Sequence, residues 1–233
     1  MNPLLKKSAL IIAIVVILDQ ILKIWVKTHM YLGESSVLWG WPFSRFQLAF
    51  TENPGMAFGW MLPGNGGKIA LTVFRILAIG GMSYYIWRLT KNEQTKPMFV
   101  ICMSLITAGA LGNLIDCLFY GMIFGPSGVS STSIAEIFPA TGGYAPFLQG
   151  KVVDMLYFPI IESEWPTWMP ILGDRADRSF TFFSPIFNIA DSAVTIGVFL
   201  ILLFHKRILP QDISETEDAD QTAEADNSKT QLQ

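Results

Sequence analysis

The chain has 233 residues, 51% of them hydrophobic and only 15% charged, well below the roughly one quarter of charged residues in a soluble domain. Together with a mean hydropathy of +0.41, that balance excludes an ordinary soluble enzyme and gives no reason to expect a nucleic-acid partner. The formal net charge of −3 misleads: Asp212, Glu215, Glu217, Asp218, Asp220, Glu224 and Asp226 crowd the last residues with only Lys229 opposing them, so the remainder is net positive.

In chain order, the first apolar block spans 8–26, close to the roughly 20 apolar residues that cross a bilayer. Lys6 and Lys7 precede it as they would in a signal peptide, but Asp19, Gln20 and Lys23 follow without a small-residue cleavage pattern, which predicts a retained span. The next segment, 27–68, contains the turn signal Asn53-Pro54-Gly55 among apolar residues. A second block, 69–87, and a third, 97–118, are separated by Arg88, Lys91 and Lys96. The third ends with Asn113 and Asp116 one helical turn apart and holds both cysteines, Cys102 and Cys117. Cysteines so placed build neither a disulfide framework nor a metal site. His29 and His205 flank different spans without ligand partners, so no metal and no cofactor is expected.

Segment 119–183 opens with a stretch, 121–150, rich in Gly, Ser and Pro and without a repeat. Lys151-Val-Val-Asp-Met-Leu-Tyr-Phe158 then reads as a short β-prone run with Asp154 alone among apolar residues. An acid so placed takes a raised pKa when buried. Trp165, Pro166, Trp168 and Pro170 read as an interfacial anchor. The fourth block, 184–204, carries Asn188 and Asp191 at i, i+3 and is closed by Lys206 and Arg207. The acidic tail 211–233 has almost no large apolar residue and is expected to be disordered.

Basic residues accumulate before span one, between spans two and three, and after span four, which predicts that both termini face the cytoplasm and that 27–68 and 119–183 lie outside. On that topology Asp19 and Asp191 each lie roughly 10 Å below the outer boundary. Asn113 and Asp116, Asn188 and Asp191, and Asp19 with Lys23 then converge on one layer. Ionised carboxylates at such depth are costly and mark functional sites unless they are paired. The bland alternative pairs Asp19 with Lys23 at i+4, gives Arg75 a partner inside the bundle, and leaves the Asn residues as glue between helices. A proton- or ion-coupled transporter is the competing function, opposed by the confinement of the acids to one layer and the lack of an internal repeat.

Five ordered motifs now stand together: Asp19 with Lys23, Asn53-Pro-Gly-Met-Ala-Phe58, Gly109-Ala-Leu-Gly-Asn-Leu-Ile-Asp116, Val152-Val-Asp-Met155 and Phe187-Asn-Ile-Ala-Asp191. In this order they closely resemble the lipoprotein signal peptidase (signal peptidase II) family over about 10–205. Two departures, Cys117 where the family has Arg and the insertion 121–150, resemble its Bacteroidetes-type form with an extended periplasmic loop. The resemblance implies an all-α, multi-pass protein of the bacterial inner membrane. Its four transmembrane helices would carry a small β-rich or irregular periplasmic subdomain built from the outer segments, with 1–210 as one peptidase domain. It implies an aspartyl endopeptidase, active near the periplasmic face, that cleaves diacylglyceryl-modified prolipoproteins before the lipidated cysteine. Membrane lipids are implied as partners, and globomycin-type cyclic peptides as inhibitors.

By position in those motifs, Asp154 and Asp191 resemble the family's catalytic pair. Asp19, Asn53, Asn113 and Asn188 resemble the residues that surround it, and Lys23 and Asp116 are counted with them as supporting. Arg175 and Arg178 are candidate substitutes for the cation missing at Cys117. The chemistry expected is that of two carboxylates sharing one proton, one activating water while the other polarises the carbonyl.

Overall fold

The computed structural model describes residues 2–37, 46–54, 64–159, 161–164, 179–182 and 185–208, with the backbone alone at 64–65, 161–164 and 179–182. Four helices are long and apolar enough to cross a membrane: Pro3–His29, Gly66–Leu89, Pro97–Ile123 and Ile189–Ile208. Helix α1 is Pro3–His29, started by Asn2, whose side chain accepts the amide of Leu4, and by Pro3 in the first turn, where no N–H is lost. Helix α2 is Gly64–Leu89 and α3 is Pro97–Ile115, again begun by a proline. The third span continues through a π-helical turn, Asp116–Tyr120, into a last short turn, α4, Gly121–Ile123. Helix α5 is Ile189–Ile208.

Helix α3 is central, packed by α5, α1 and α2. Its glycines let the backbones close up: a Cβ on Gly109 would sit 2.1 Å from the carbonyl oxygen of Ala190, and one on Gly112 would sit 2.8 Å from Asp19 Oδ2. Any side chain at either position would push α5 and α1 away from α3.

The extended segments gather at one end of the bundle. Strands β1 (Ser35–Val37), β2 (Gln47–Asn53), β3 (Val152–Tyr157) and β6 (Ile186–Phe187) form an antiparallel sheet in the order β1-β2-β3-β6. Strands β4 (Ile161–Glu164) and β5 (Ser179–Phe182) form a separate hairpin pair. The β2–β3 register shifts between Leu48 and Thr51, an irregularity that sets Thr51 opposite Asp154 and Asn53 opposite Val152. Below the sheet lies an apolar core of Val26, Met30, Phe50, Phe124, Val153 and Met155. Through it passes an ion-pair chain that is buried at Lys27 and Glu52 and reaches the surface at Lys151. Lys27 Nζ donates to Glu52 and to Ser127 Oγ at 3.0 Å, and Lys151 Nζ donates to the other Glu52 oxygen at 2.8 Å. Burial pushes the Glu52 carboxyl up, but Lys27 and Lys151 outweigh it and hold it below the ordinary carboxylate value.

Two sequence expectations shift in detail. The fourth helix starts at Ile189, after β6 and Asn188, so Asp191 lies in the first helical turn instead of seven residues inside a span that begins at 184. Pairing of Ile186 and Phe187 with β3 uses that stretch as strand, and Asn188 caps the helix. Asn188 therefore precedes the helix and does not share a helical face with Asp191. The Trp165 and Trp168 anchor, Arg175, Arg178 and the tail 211–233 lie outside the described residues.

Candidate active site

The eight candidate site residues that lie among the described ones meet at the junction of the helices with the sheet, and the four acids divide into two pairs. Asp19, on α1, is fully buried and accepts the Ala190 amide on Oδ1 at 2.9 Å, satisfying an N–H in the first turn of α5. Its Oδ2 lies 2.8 Å from Lys23 Nζ, one turn further along α1. The same ammonium reaches Asp116 Oδ2 at 2.7 Å and donates to Asn113 Oδ1 at 2.9 Å. Asp116 also accepts from Gln20 Nε2 at 2.9 Å and from the Val153 amide at 3.3 Å. One cation and several neutral donors thus tie down two carboxylates, the bland pairing of Asp19 with Lys23 extended to a second acid. All three charged side chains are sealed from solvent, so the group fixes α1, α3 and β3 to one another.

Asp154 and Asp191 are held differently. Among the described residues no ion pair reaches either, and their partners are amides. Asn188 Nδ2 donates to Asp154 Oδ1 at 2.6 Å, and Asn53 donates to Asp154 as well. Asn113 Nδ2 donates to Asp191 Oδ1 at 2.8 Å. Asn188 Nδ2 also lies 3.1 Å from Asn113 Oδ1, which closes a continuous path from Asp154 through Asn188 and Asn113 to Asp191. The other face of the Asn188 amide is fixed by its cap, Oδ1 accepting the Asp191 amide at 2.8 Å. Burial, and then the charge of Asp191, push the Asp154 carboxyl up to about 7. Asp154 is buried while Asp191 is partly exposed, so the pair has a closed and an open member.

Gln20 and a π-helical turn were not singled out from the sequence, and Arg75 was expected only to find some partner inside the bundle. Gln20 donates to Asp116 and accepts the Tyr120 hydroxyl at 3.1 Å; a polar residue beside Asp19 at membrane depth was the available signal. The π-helical turn that begins at Asp116 has no sequence signature. Arg75, from α2, donates to Cys117 Sγ at 3.1 Å. It rises toward the site on a helix pinned by Lys68 Nζ on the Gln149 carbonyl at 2.6 Å and Thr72 Oγ1 on the Leu148 carbonyl at 3.1 Å. A cation thus stands beside Cys117, brought there by α2. Both cysteines are free thiols, and among the described residues no cluster could hold a metal ion.

The family model described as signal peptidase (SPase) II matches residues 11–206. A lipoprotein signal peptidase of Porphyromonas gingivalis is 44% identical over 227 residues, covering 93% of this chain and 94% of the relative. One from Amoebophilus asiaticus is 34% identical over 212 residues, covering 89% and 80%. A solved structure described as a bacterial membrane enzyme, determined by the in meso method at 2.3 Å, is 27% identical, covers 86% of this chain and 88% of its own, and superposes with a TM-score of 0.52.

Proposed function

The chain belongs to the signal peptidase II family, and from that premise we propose that it is an aspartyl endopeptidase in which Asp154 and Asp191 hydrolyse the signal peptide bond of diacylglyceryl-modified prolipoproteins. The observation that carries this reading is the unequal treatment of the acids. Asp19 and Asp116 share the ammonium of Lys23, while Asp154 and Asp191 are joined through neutral amides. Two carboxyls so coupled hold one proton between them. The starting proton is assigned to Asp154, buried and raised, which leaves the partly exposed Asp191 as the base.

Asp191 takes a proton from water as the water oxygen bonds to the scissile carbonyl carbon, and Asp154 gives its proton to the carbonyl oxygen, forming a gem-diol. Collapse returns a proton from the gem-diol to Asp154, the C–N bond breaks, and the proton on Asp191 passes to the leaving nitrogen, restoring the starting state. The acids stand at the sheet end of the bundle, and the excess of basic residues at the opposite end supports a site at the periplasmic face of the inner membrane. An acyl-modified substrate reaches such a site from within the lipid.

The test is processing by purified protein in lipid. A diacylglyceryl-modified precursor should release its signal peptide with the lipidated cysteine as the new N-terminus. Cleavage of an unlipidated precursor at the same rate, or ion flux without cleavage, would contradict the reading.

The raised Asp154 carboxyl predicts a pH limb. Its proton is kept below about 7 and lost above, so kcat should fall with rising pH, approaching about tenfold per pH unit beyond the limb. A kcat that stays flat well into the alkaline range would assign the proton elsewhere.

Arg75 supplies a guanidinium beside the acid layer, and a guanidinium carries five donors in a fixed fork. In this account it steadies substrate carbonyl groups, so Arg75→Gln should lower kcat/KM about tenfold, mainly through KM, with Arg75→Lys intermediate. Unchanged steady-state constants for Arg75→Gln would leave Arg75 a packing residue.

A further inference from the structure

The insertion 121–150 is folded onto the end of the third span by main-chain hydrogen bonds on two sides. On one side Gly125 N donates to Glu136 O at 2.9 Å and Phe138 N donates to Ile123 O at 2.7 Å, with Phe124 bridged to Ile137. On the other side Tyr144 N, Ala145 N and Gly150 N donate to the carbonyls of Phe124, Gly121 and Cys117 at 2.9 to 3.0 Å. Phe124, Ala135 and Tyr144 turn inward onto the sheet-end core.

The other face is apolar and uncovered. Phe119 and Met122, one turn apart within the third span, are exposed, and Phe147 lies against Phe119 with ring centroids 5.9 Å apart. Ile137 and Phe138 are exposed as well, beside the end of the third span, where Phe138 N bonds to the Ile123 carbonyl. Phe138 is 74% exposed and sits at φ +50°, a backbone conformation that a bulky side chain adopts only under constraint. By contrast, the far turn of the insertion, closed by Gly128 N on Ser133 O at 2.8 Å, exposes three hydroxyl side chains, Ser130, Ser131 and Thr132, beside a single apolar one, Val129. One edge is therefore apolar and continuous with the wall of a span, while the tip is suited to water.

We propose that the insertion is a membrane-dipping edge: Phe147, Ile137 and Phe138 enter the boundary between headgroups and acyl chains beside Phe119 and Met122 of the third span. An apolar band in water would invite aggregation, whereas at that boundary it is covered by lipid and needs no protein partner. Continuity with the third span selects the lipid surface over a second copy of the chain. The insertion returns through Gly150, bonded to Cys117, into Lys151 and β3, so the seated edge also sets the depth of Asp154 in the bilayer.

The test uses the full chain in phosphatidylcholine proteoliposomes, with Phe138→Cys labelled by an NBD fluorophore and the unsubstituted chain labelled in parallel as the blank for buried Cys102 and Cys117. Nitroxide on a shallow acyl carbon should quench the label roughly two-fold or more better than it quenches the same label at Ser131→Cys, and better than nitroxide at the chain end does. Phe147→Cys, on the same band, should behave like Phe138→Cys and serves if the strained position folds poorly. Quenching at both sites no greater than at Ser131→Cys, with equal access to aqueous iodide, would overturn the proposal. So would shielding that appears only at high protein-to-lipid ratio, which would assign the band to a second copy of the chain.

Discussion

Asp154→Asn should lose processing by on the order of 10³-fold while the protein still inserts and folds, because the amide keeps the size and hydrogen bonding of the carboxyl but not its proton chemistry. Asn188 and Asn53 both donate to Asp154, and an amide oxygen at the same place accepts from them as the carboxyl does. Asp191→Asn should cost a comparable factor, since its Asn113 partner is likewise retained. The double variant should be scarcely worse than either single one, because residues that act as a unit are not additive. Turnover of a lipidated precursor by the three variants checks this directly. Two losses that multiply in the double variant would mean that the acids act independently.

Lys23→Met carries the largest expected effect on stability. Its ammonium is the shared partner of Asp19 and Asp116, and all three side chains are buried. Removing it leaves two carboxyls facing one another without a counter-charge, a change that costs about 3–5 kcal/mol where a buried pair is broken from one side. Thermal unfolding in detergent should show a large drop in the midpoint. Adding Asp19→Asn and Asp116→Asn to the same protein should recover part of it, since neutral amides then replace the uncompensated acids. A midpoint unchanged in Lys23→Met, or a triple variant less stable than the single one, would contradict the assignment of Lys23 as the ion-pair hub.

Periodicity and composition made the four apolar helices legible because hydropathy acts over roughly 20 residues and tolerates errors at the ends. The β-prone run at 152–157 was legible for the same reason, with branched and aromatic residues around a single acid. What local sequence could not carry was the division of the acids. Asp116 and Asp191 both follow an Asn at i+3, yet one is locked to a lysine and the other left with an amide. That difference depends on which helix of the bundle brings Lys23 within reach, a fact of packing and not of spacing. That Arg75 would meet a partner inside the bundle was legible, but not that Cys117 would be one: it is 42 residues away in sequence and meets Arg75 because α2 packs on α3. The start of α5 was misplaced because residues before Asn188 are apolar enough for a span but are claimed by pairing with β3.

The most direct test of the central claim sets Asp154→Asn beside Asp116→Asn in single-turnover cleavage of a diacylglyceryl-modified precursor, with folding of each variant followed in parallel. Asp116 is held by Lys23, Gln20 and the Val153 amide and has no part in the proton path, so Asp116→Asn should lose stability but keep measurable cleavage. Asp154→Asn should keep its fold and be nearly inert. Near-normal cleavage by Asp154→Asn together with a folded but dead Asp116→Asn would move the dyad to Asp116 and Asp191 and contradict the assignment made here.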